Sequence, residues 1–493
     1  MSLRAKAASA LMGPELLLVI GRSLGFAASF FIPLILVRVF HQADFGAYKH
    51  LFLVFSTFSL VTQIGLAESL FYFLPSARER AGSYVANTTL CLALLGVAAA
   101  LLLWAGAPAI ASWMNNPALE PLLPWLGIFL MLSLASESLE VVLIASRRYV
   151  WAAASYGLSD LLRSAMFILP ALLTGRLKSV LVGGVIFAAV RVLAALFYFV
   201  REFRQELRLA LAPLLSQLAY ALPFGGAVVI EVLQGNLHQY VVSARFDAAT
   251  FAIYAVGCLQ IPFVDLVAGP AGNVMMVRMS EKRAEGDLRS VAGLWHQTTL
   301  RLAMIFFPMT VLVLILARDL IVSLFTSAYA ASVPIFMAWS LSVLFPVFQT
   351  DGVLRVFART RFLLVMNALR LLVILGSIFW FLSTFGLLGA VLVTLFGMLV
   401  AKVFSLAKVS RLLGTGFRGL LPWRGLATTA VLSAAAALPA YVVVKELSAH
   451  PLAGIVLGAT AYVVLYVAGL AWAGMRRSRS APKNLQAVGA AGG

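Results

Sequence analysis

Long apolar segments follow one another along almost the whole chain of 493 residues, and short polar connections separate them. Each segment is about 20 residues or longer, which is the length that an α-helix needs to cross the hydrocarbon core of a bilayer. The strands of an outer-membrane barrel would instead alternate apolar and polar residues in pieces of about 10. The segments therefore predict an all-α polytopic membrane protein with about 14 transmembrane helices. These spans are predicted near 14–37, 48–74, 83–106, 118–145, 152–174, 179–200, 216–243, 250–276, 300–322, 331–354, 362–382, 386–409, 425–446 and 452–475.

The composition agrees with a membrane protein. Hydrophobic residues make up 62% of the chain and charged residues 11%, whereas about 25% of the residues of a soluble domain are charged. Cys91 and Cys258 both lie in apolar segments, which excludes a disulfide framework and a cysteine-rich metal site. The net charge of +18 comes largely from the connections. We therefore expect contact with anionic membrane lipids and no nucleic-acid partner.

The basic residues of the connections predict the orientation. Connections on the side of the N-terminus contain far more Arg and Lys than those on the opposite side, as at Arg147 and Arg148. The positive-inside rule places this side, with both termini, in the cytoplasm. The connections between spans are too short for a folded extracytoplasmic domain. Residues 476–493 run from basic residues into Ala and Gly and are predicted to form a disordered cytoplasmic tail.

A weak internal repeat relates the two halves of the chain. The pattern F-x4-F-x2-Y begins at Phe40, between spans 1 and 2, and again at Phe246, between spans 7 and 8. The sequence Ala-Ser-Arg-Arg-Tyr at 145–149 joins spans 4 and 5, and Ala-Arg-Thr-Arg-Phe at 358–362 joins spans 10 and 11. Both pairs have nearly the same offset, which favours a true repeat.

The repeat predicts the domain organisation. Spans 1–6 form one lobe in residues 1–210, and spans 7–12 form a second lobe in residues 211–412. Because six is even, the two six-helix lobes are parallel, and many transporters with repeats hold the substrate between them. Residues 413–475 add two C-terminal helices, spans 13 and 14.

The sequence lacks the motifs of common catalytic and nucleotide sites. It contains no G-x-x-x-x-G-K-[ST], H-E-x-x-H, C-x-x-C or G-x-S-x-G. The histidines are scattered among separate connections or span ends, and they are His41, His50, His238, His296 and His450. No metal site is therefore predicted. A membrane polymerase or glycosyltransferase would need a large outside loop with charged active residues. We therefore expect a protein that is not an enzyme and needs no cofactor.

Basic side chains occur inside the predicted spans, where ionisable groups must face a cavity or a partner. They are Arg22, Arg163, Arg191 and Arg370. Gly25, Ser29 and Pro33 share the helical face of Arg22 and would let water or a polar ligand approach. Each arginine could snorkel to the head groups or pair locally. Alternatively, the four guanidinium groups form a cationic site for a phosphate-bearing substrate, because guanidinium binds phosphate through two hydrogen bonds.

Acidic residues also lie inside the predicted spans. They are Glu68, Glu137, Glu140, Asp160, Glu231, Asp265 and Asp351. Asp160 and Arg163 are three residues apart on one helix, a spacing at which opposite charges meet. We therefore predict that these two residues form an ion pair.

Two of these acidic residues belong to polar stripes on their helices. On span 7, Glu231 shares a face with Gln234 and His238, and on span 8 Asp265 shares a face with Asn273. Such stripes suit a hydrated cavity in which Glu231 and Asp265 bind a proton or sodium ion. They would also suit hydrogen bonding between helices with no transport role.

Several short motifs resemble those of a known family. They are Leu-Val-Arg-Val-Phe at 36–40, Asp-Phe-Gly-Ala-Tyr at 44–48, Gly-Leu at 65–66, Leu-Phe-Thr-Ser-Ala-Tyr at 324–329 and Phe-Gly-Leu-Leu-Gly-Ala at 385–390. Over residues 14–475 the chain resembles the Wzx-type flippases for O-antigen and exopolysaccharide. These proteins belong to the superfamily of multidrug/oligosaccharidyl-lipid/polysaccharide exporters.

The resemblance implies two six-helix lobes in the inner membrane of a bacterium. It implies transfer of a polyprenyl-diphosphate-linked oligosaccharide to the periplasmic leaflet, driven by a proton or sodium gradient and not by ATP. A polysaccharide polymerase and a chain-length regulator would be its partners in lipopolysaccharide or exopolysaccharide biosynthesis. The chain departs from the family at His238, where members commonly carry an acidic residue late in span 7.

Other functions remain open from the sequence. A lipid II flippase also has 14 spans. A cation-coupled antiporter for drugs or other small molecules belongs to the same superfamily, but such exporters typically stop at 12 spans. An enzyme, either a polymerase or a glycosyltransferase, is disfavoured by the short outside connections.

Overall fold

The computed structural model describes residues 14–261, 263–446 and 451–480. These residues form α-helices that are joined by turns and short 3-10 segments. The helices of the first part of the chain are α1 (Pro14–Val39), α2 (Gln42–Gln63), α3 (Leu66–Ser76), α4 (Ala81–Ala105), α5 (Ala107–Trp113), α6 (Leu123–Ala135), α7 (Ser138–Ala145), α8 (Tyr149–Thr174), α9 (Leu177–Phe203), α10 (Leu211–Arg245) and α11 (Ala248–Gly257). Those of the second part are α12 (Phe263–Ala284), α13 (Leu288–Phe325), α14 (Val333–Ser340), α15 (Thr350–Val356), α16 (Thr360–Phe385), α17 (Leu387–Leu413), α18 (Phe417–Leu420), α19 (Trp423–Glu446) and α20 (Pro451–Ser480).

The helices pack into two compact units that divide between Ala255 and Val256. Helix α10, which the repeat assigns to the second lobe, belongs to the first unit. Its polar side chains hold it there, because Gln217 donates to the Thr88 hydroxyl at 2.7 Å and Asn236 donates to the Thr57 hydroxyl at 2.8 Å. The lobe boundaries derived from the repeat stay a prediction.

Thirteen helical segments of the described chain are long and apolar enough to cross a membrane. The prediction of an all-helical polytopic membrane protein with about 14 transmembrane helices is confirmed, and the difference of one falls on the eighth predicted span. The eighth predicted span, near 250–276, is divided between α11 and α12. Helix α11 has 10 residues, fewer than the roughly 20 that cross a bilayer. Helix α12 ends in the charged residues Glu281, Lys282 and Arg283.

A left-handed turn interrupts the second predicted span. Helix α2 ends at Gln63, and the backbone φ angles of Ile64 and Gly65 are 49° and 71°. An L-residue pays a steric penalty in this region, and glycine does not. Across from the turn, a Cβ atom on Gly225 of α10 would lie 2.6 Å from the carbonyl oxygen of Ile64. Glycines therefore allow both the bend and the close approach of α10.

The tenth predicted span is also discontinuous. Helix α14 is followed by a 3-10 segment, Leu341–Val347, and the chain unwinds at Phe348 and Gln349 before α15 begins. A broken helix at membrane depth frees backbone carbonyl groups that need other hydrogen-bond donors. This interruption positions the polar groups of the second unit that are described below.

Each unit has its own buried apolar core. In the first unit a cluster that includes Leu70, Val85 and Phe199 joins α3, α4, α7, α8 and α9. In the second unit Trp295 and Phe306 of α13 are fully buried within a larger cluster. At the end of the chain, α20 continues to Ser480, into the predicted tail 476–493, and residues 481–493 lie outside the described residues.

Candidate functional site

Three of the four predicted arginines lie in the first unit, around α8. Arg22 of α1 is exposed, and its Nη2 donates to the Tyr156 hydroxyl at 3.0 Å. Its guanidinium carbon also lies 4.8 Å from the centroid of the Tyr156 ring, in a cation–π contact. Within the described part of the chain, Arg22 forms no ion pair. The tyrosine therefore orients the guanidinium group without neutralising it, and its other donors can reach an anion.

Arg163 has an acidic partner on its own helix. Its Nη2 lies 2.6 Å from Asp160 Oδ1, and it also donates to the Ser29 hydroxyl of α1 at 2.6 Å. The ion pair predicted from the three-residue spacing is confirmed. Gly25 makes this arrangement possible, because a Cβ atom there would overlap the Asp160 carboxylate. Arg163 thus crosslinks α1 and α8 with part of its charge neutralised.

Arg191 of α9 is held more tightly. Its Nη2 lies 2.6 Å from Glu140 Oε2, and the side chains of Arg191 and Glu140 are 20% and 3% exposed. Ser155 of α8 donates to the other carboxylate oxygen of Glu140 at 2.8 Å. The pair and its serine partner thus link α7, α8 and α9, and removal of either charge would leave the other one buried without its partner.

Acidic groups complete the cluster around these arginines. Glu137, at the start of α7, interacts electrostatically with Arg191, Glu140, Glu68 and Arg163. Glu68 of α3 is exposed. Charged residues of four helices therefore lie near one another in the first unit, and a lipid-facing orientation of these groups would be costly. We take the surface around these residues, together with Arg22 of α1, as the candidate substrate face and call it the charged face.

The second unit has a different basic centre. Lys402 of α17 donates to the Phe348 carbonyl at 3.1 Å and to the Thr350 hydroxyl at 3.0 Å, at the interruption between α14 and α15. Thr350 in turn donates to the Asp351 carboxylate at 3.0 Å. Arg370 of α16 and Asp351 both interact electrostatically with Lys402. The arginine was predicted as a site residue and the lysine was not.

Lys402 could have been found from the sequence. It is the one charged residue of the predicted span 386–409 apart from Lys408 at its end, and a charge inside a span indicates a functional or structural role. What the sequence could not indicate is its partner, because the partner is a backbone carbonyl that becomes free only where the tenth span unwinds.

The two predicted ion-coupling residues lie in different units. Glu231 is exposed on α10, and Asp265 is exposed in the first turn of α12. The stripe predicted beside Glu231 is largely buried, since Gln234 and His238 are each 1% exposed. His238 Nδ1 and the Tyr254 hydroxyl are hydrogen-bonded at 2.6 Å. His238 thus holds α10 against α11, and Glu231 is the member of the stripe that faces outward.

A metal site would need several clustered ligand side chains. Among residues 14–261, 263–446 and 451–480, no group of three or more His, Cys, Asp or Glu side chains is placed to hold a metal ion.

Comparison with known proteins identifies the family. Residues 35–334 match the model of the family described as polysaccharide biosynthesis protein. No curated protein sequence matches the chain significantly.

Solved structures of transporters share the fold. The lipid II flippase MurJ in an inward closed conformation superposes with a TM-score of 0.70 at 14% identity, covering 91% of this chain and 97% of MurJ. An outward-facing multidrug resistance MATE transporter of the MOP superfamily gives a TM-score of 0.54 at 13% identity, covering 81% of this chain and 95% of the transporter. A MATE structure in complex with MaL6 gives 0.53 at 14% identity, with 82% and 97% covered. The chain therefore belongs to the polysaccharide biosynthesis protein family, and it has the membrane-transporter fold of MurJ and MATE.

Proposed function

We propose that this protein is a flippase that moves polyprenyl-diphosphate-linked oligosaccharide units across the bacterial inner membrane for the synthesis of O-antigen or exopolysaccharide. In this proposal it performs no chemical step on the substrate. The family match supports an oligosaccharide over a drug. Lipid II carries the same polyprenyl diphosphate, and a lipid II flippase is therefore the second candidate. The polymerase and the chain-length regulator that would receive the repeat unit remain predictions.

The observation that carries the proposal is the environment of the Arg22 guanidinium group. This exposed guanidinium group is stacked on Tyr156 and forms no ion pair with the described residues. A guanidinium group held in this way binds a diphosphate through paired, charge-assisted hydrogen bonds. Arg163 lies on the same face of α8 as Tyr156, two turns further along, and Asp160 neutralises part of its charge. We therefore assign the main phosphate contact to Arg22, a secondary one to Arg163 and a mainly structural role to Arg191, while Arg370 stays a predicted phosphate contact.

The test is flipping of a polyprenyl-diphosphate-linked oligosaccharide in proteoliposomes, with surface polysaccharide in a flippase-null strain as a second measurement. Arg22→Lys keeps the charge and loses the fork of donors, so a partial defect is expected, and Arg22→Ala should be worse, by about tenfold or more. The matched control is Arg176→Ala, an exposed arginine in the connection between α8 and α9. Full activity of Arg22→Ala at equal protein level would reject the assignment.

We further propose that a proton or sodium gradient drives the transport. Glu231 and Asp265 are the candidate coupling groups because both lie in spans predicted from the sequence and both are exposed, and ionisable groups within spans mark ion pathways. The measurement is flipping in vesicles under an imposed pH or sodium gradient, for the wild type and for Glu231→Gln and Asp265→Asn. If both variants keep the full response to the gradient, neither residue couples the ion.

The proposed orientation has both termini in the cytoplasm. It is supported by the excess of Arg and Lys in alternate connections. Single cysteines at Ala43, Asn115 and Ala249, in a background without Cys91 and Cys258, should react with an impermeant reagent from outside the cell. A cysteine at Glu285 should react only after permeabilisation, and the opposite pattern would reverse the orientation.

A further inference from the structure

Two exposed tyrosines stack on each other in the first unit. Tyr72 of α3 and Tyr220 of α10 have ring centroids 5.2 Å apart and ring planes 11° from parallel. The two residues are 56% and 49% exposed, respectively. A stacked pair that is buried would simply be part of the core, but each of these rings covers only one face of the other and about half of each residue stays accessible.

A layer of aromatic rings supports the pair from behind. Phe73 contacts Tyr72 edge-on at 5.0 Å and Tyr220 edge-on at 5.8 Å. Phe73 itself stacks on Tyr84, which is 6% exposed, at 4.7 Å. These contacts fix the orientation of the two tyrosine rings. In the described part of the chain, neither the Tyr72 nor the Tyr220 hydroxyl forms a hydrogen bond with another residue, so both hydroxyls can serve a ligand.

The pair belongs to the charged face. Tyr72 lies four residues after Glu68 on α3, and residues with this spacing project from the same side of a helix. Glu68 interacts electrostatically with Glu137, which also interacts with Arg163. Because exposed carboxylates avoid the hydrocarbon core, this side of α3 is not directed toward lipid. The tyrosine surface is thus on the side where a polar substrate would be bound.

We propose that Tyr72 and Tyr220 form a stacking platform for a pyranose ring of the substrate. This inference rests on the proposed function, because it assigns the sugar subsite of the same lipid-linked oligosaccharide whose diphosphate binds Arg22. One face of a pyranose ring presents C–H groups that pack on an aromatic face, and its hydroxyls lie at the rim. A tyrosine offers both an apolar ring and a polar hydroxyl to such a ligand. The platform therefore selects a glycosylated carrier over the bare polyprenyl diphosphate.

The experiment compares two probes on the full-length protein in nanodiscs. The first is polyprenyl diphosphate without a sugar, and the second is polyprenyl diphosphate that carries N-acetylglucosamine or galactose. The wild type should bind the glycosylated probes more tightly. Tyr72→Ala and Tyr220→Ala should each weaken binding of the glycosylated probes by about five- to tenfold and leave the bare probe within about twofold. Tyr72→Phe, which keeps the ring, should lose no more than about threefold.

The controls separate this inference from the proposed function. Tyr441→Ala removes an exposed tyrosine of α19 in the second unit and should change neither affinity. Arg22→Ala should weaken both probes alike. Equal binding of bare and glycosylated probes by the wild type, or equal loss of both in the tyrosine variants, would overturn the platform and leave the flippase proposal standing. Failure of the wild type to bind either probe would overturn both.

Discussion

The ion pair between Glu140 and Arg191 allows a quantitative test of whether an intramembrane arginine holds helices together or binds substrate. Replacing Arg191 by Leu leaves the Glu140 carboxylate, 3% exposed, with the Ser155 hydroxyl as a hydrogen-bond partner. Breaking a buried pair on one side costs about 3–5 kcal/mol, whereas removing both charges from apolar surroundings is often close to neutral. The single variants Arg191→Leu and Glu140→Leu should therefore each be much less stable than the double variant.

The assay is a double-mutant cycle on the free energy of unfolding, measured in mixed micelles titrated with SDS. Because the double variant is expected to be more stable than either single variant, the coupling energy between Glu140 and Arg191 must exceed the cost of each single substitution, and we expect it to be above about 3 kcal/mol. The matched control is the pair Arg148–Glu202, whose side chains are 51% and 34% exposed and whose atoms lie 3.2 Å apart. Exposed pairs contribute only about 0–1 kcal/mol. The two cycles should thus differ clearly.

A coupling energy for Glu140 and Arg191 no larger than that of the control would refute the reasoning. The effects of the single variants would then add, and the short contact would not stabilise the packing of α7 and α9. In that case Arg191 would again be a candidate for the phosphate site, and its Leu variant should lose flipping activity without losing stability.

Two further predictions concern local packing and helix capping. Gly25→Ala should push the Asp160 carboxylate away from Arg163 and lower the free energy of unfolding by about 1–2 kcal/mol. The control Gly376→Ala, in open space on α16, should raise the free energy of unfolding by up to about 1 kcal/mol. Thermal unfolding of the two variants measures both effects. Asp247 caps α11, since its carboxylate accepts from the Thr250 N–H at 2.8 Å, and Asp247→Ala should cost about 1 kcal/mol at pH 7. Hydrogen bonds from the side chain and backbone of Thr250 lower the pKa of Asp247. The contribution of the Asp247 carboxylate to the free energy of unfolding is therefore complete above the unfolded-state pKa of about 3.9, and it disappears as the pH falls through the lower folded-state pKa. The stability difference between wild type and variant should therefore close only in acid.

The sequence was sufficient for the features that depend on neighbouring residues. Apolar segments of spanning length predicted the helices, because the bilayer imposes that length. The three-residue spacing of Asp160 and Arg163 predicted their ion pair, because helix geometry brings these positions together. The fold class followed from the same local information.

The features that depend on distant residues were not accessible in this way. Arg191 of α9 pairs with Glu140 of α7, and the sequence around either residue does not indicate which residue is its partner. The hydrogen bond from Lys402 to the Phe348 carbonyl exists only because the chain unwinds at Phe348. The interruption of the eighth predicted span after Gly257 is likewise not visible in its hydropathy.

The length of α13 has a consequence for imaging this protein. The helix has 38 residues, or about 57 Å at 1.5 Å per residue, against a hydrocarbon core of about 30 Å. Its first turns are anchored, because the fully buried Trp295 donates to the Leu420 carbonyl at 2.9 Å. A helical fusion partner that replaces the capping residue Asp287 and continues directly into Leu288 would therefore move as one body with the second unit. In electron micrographs it would give a small membrane protein the rigid landmark outside the micelle that particle alignment requires.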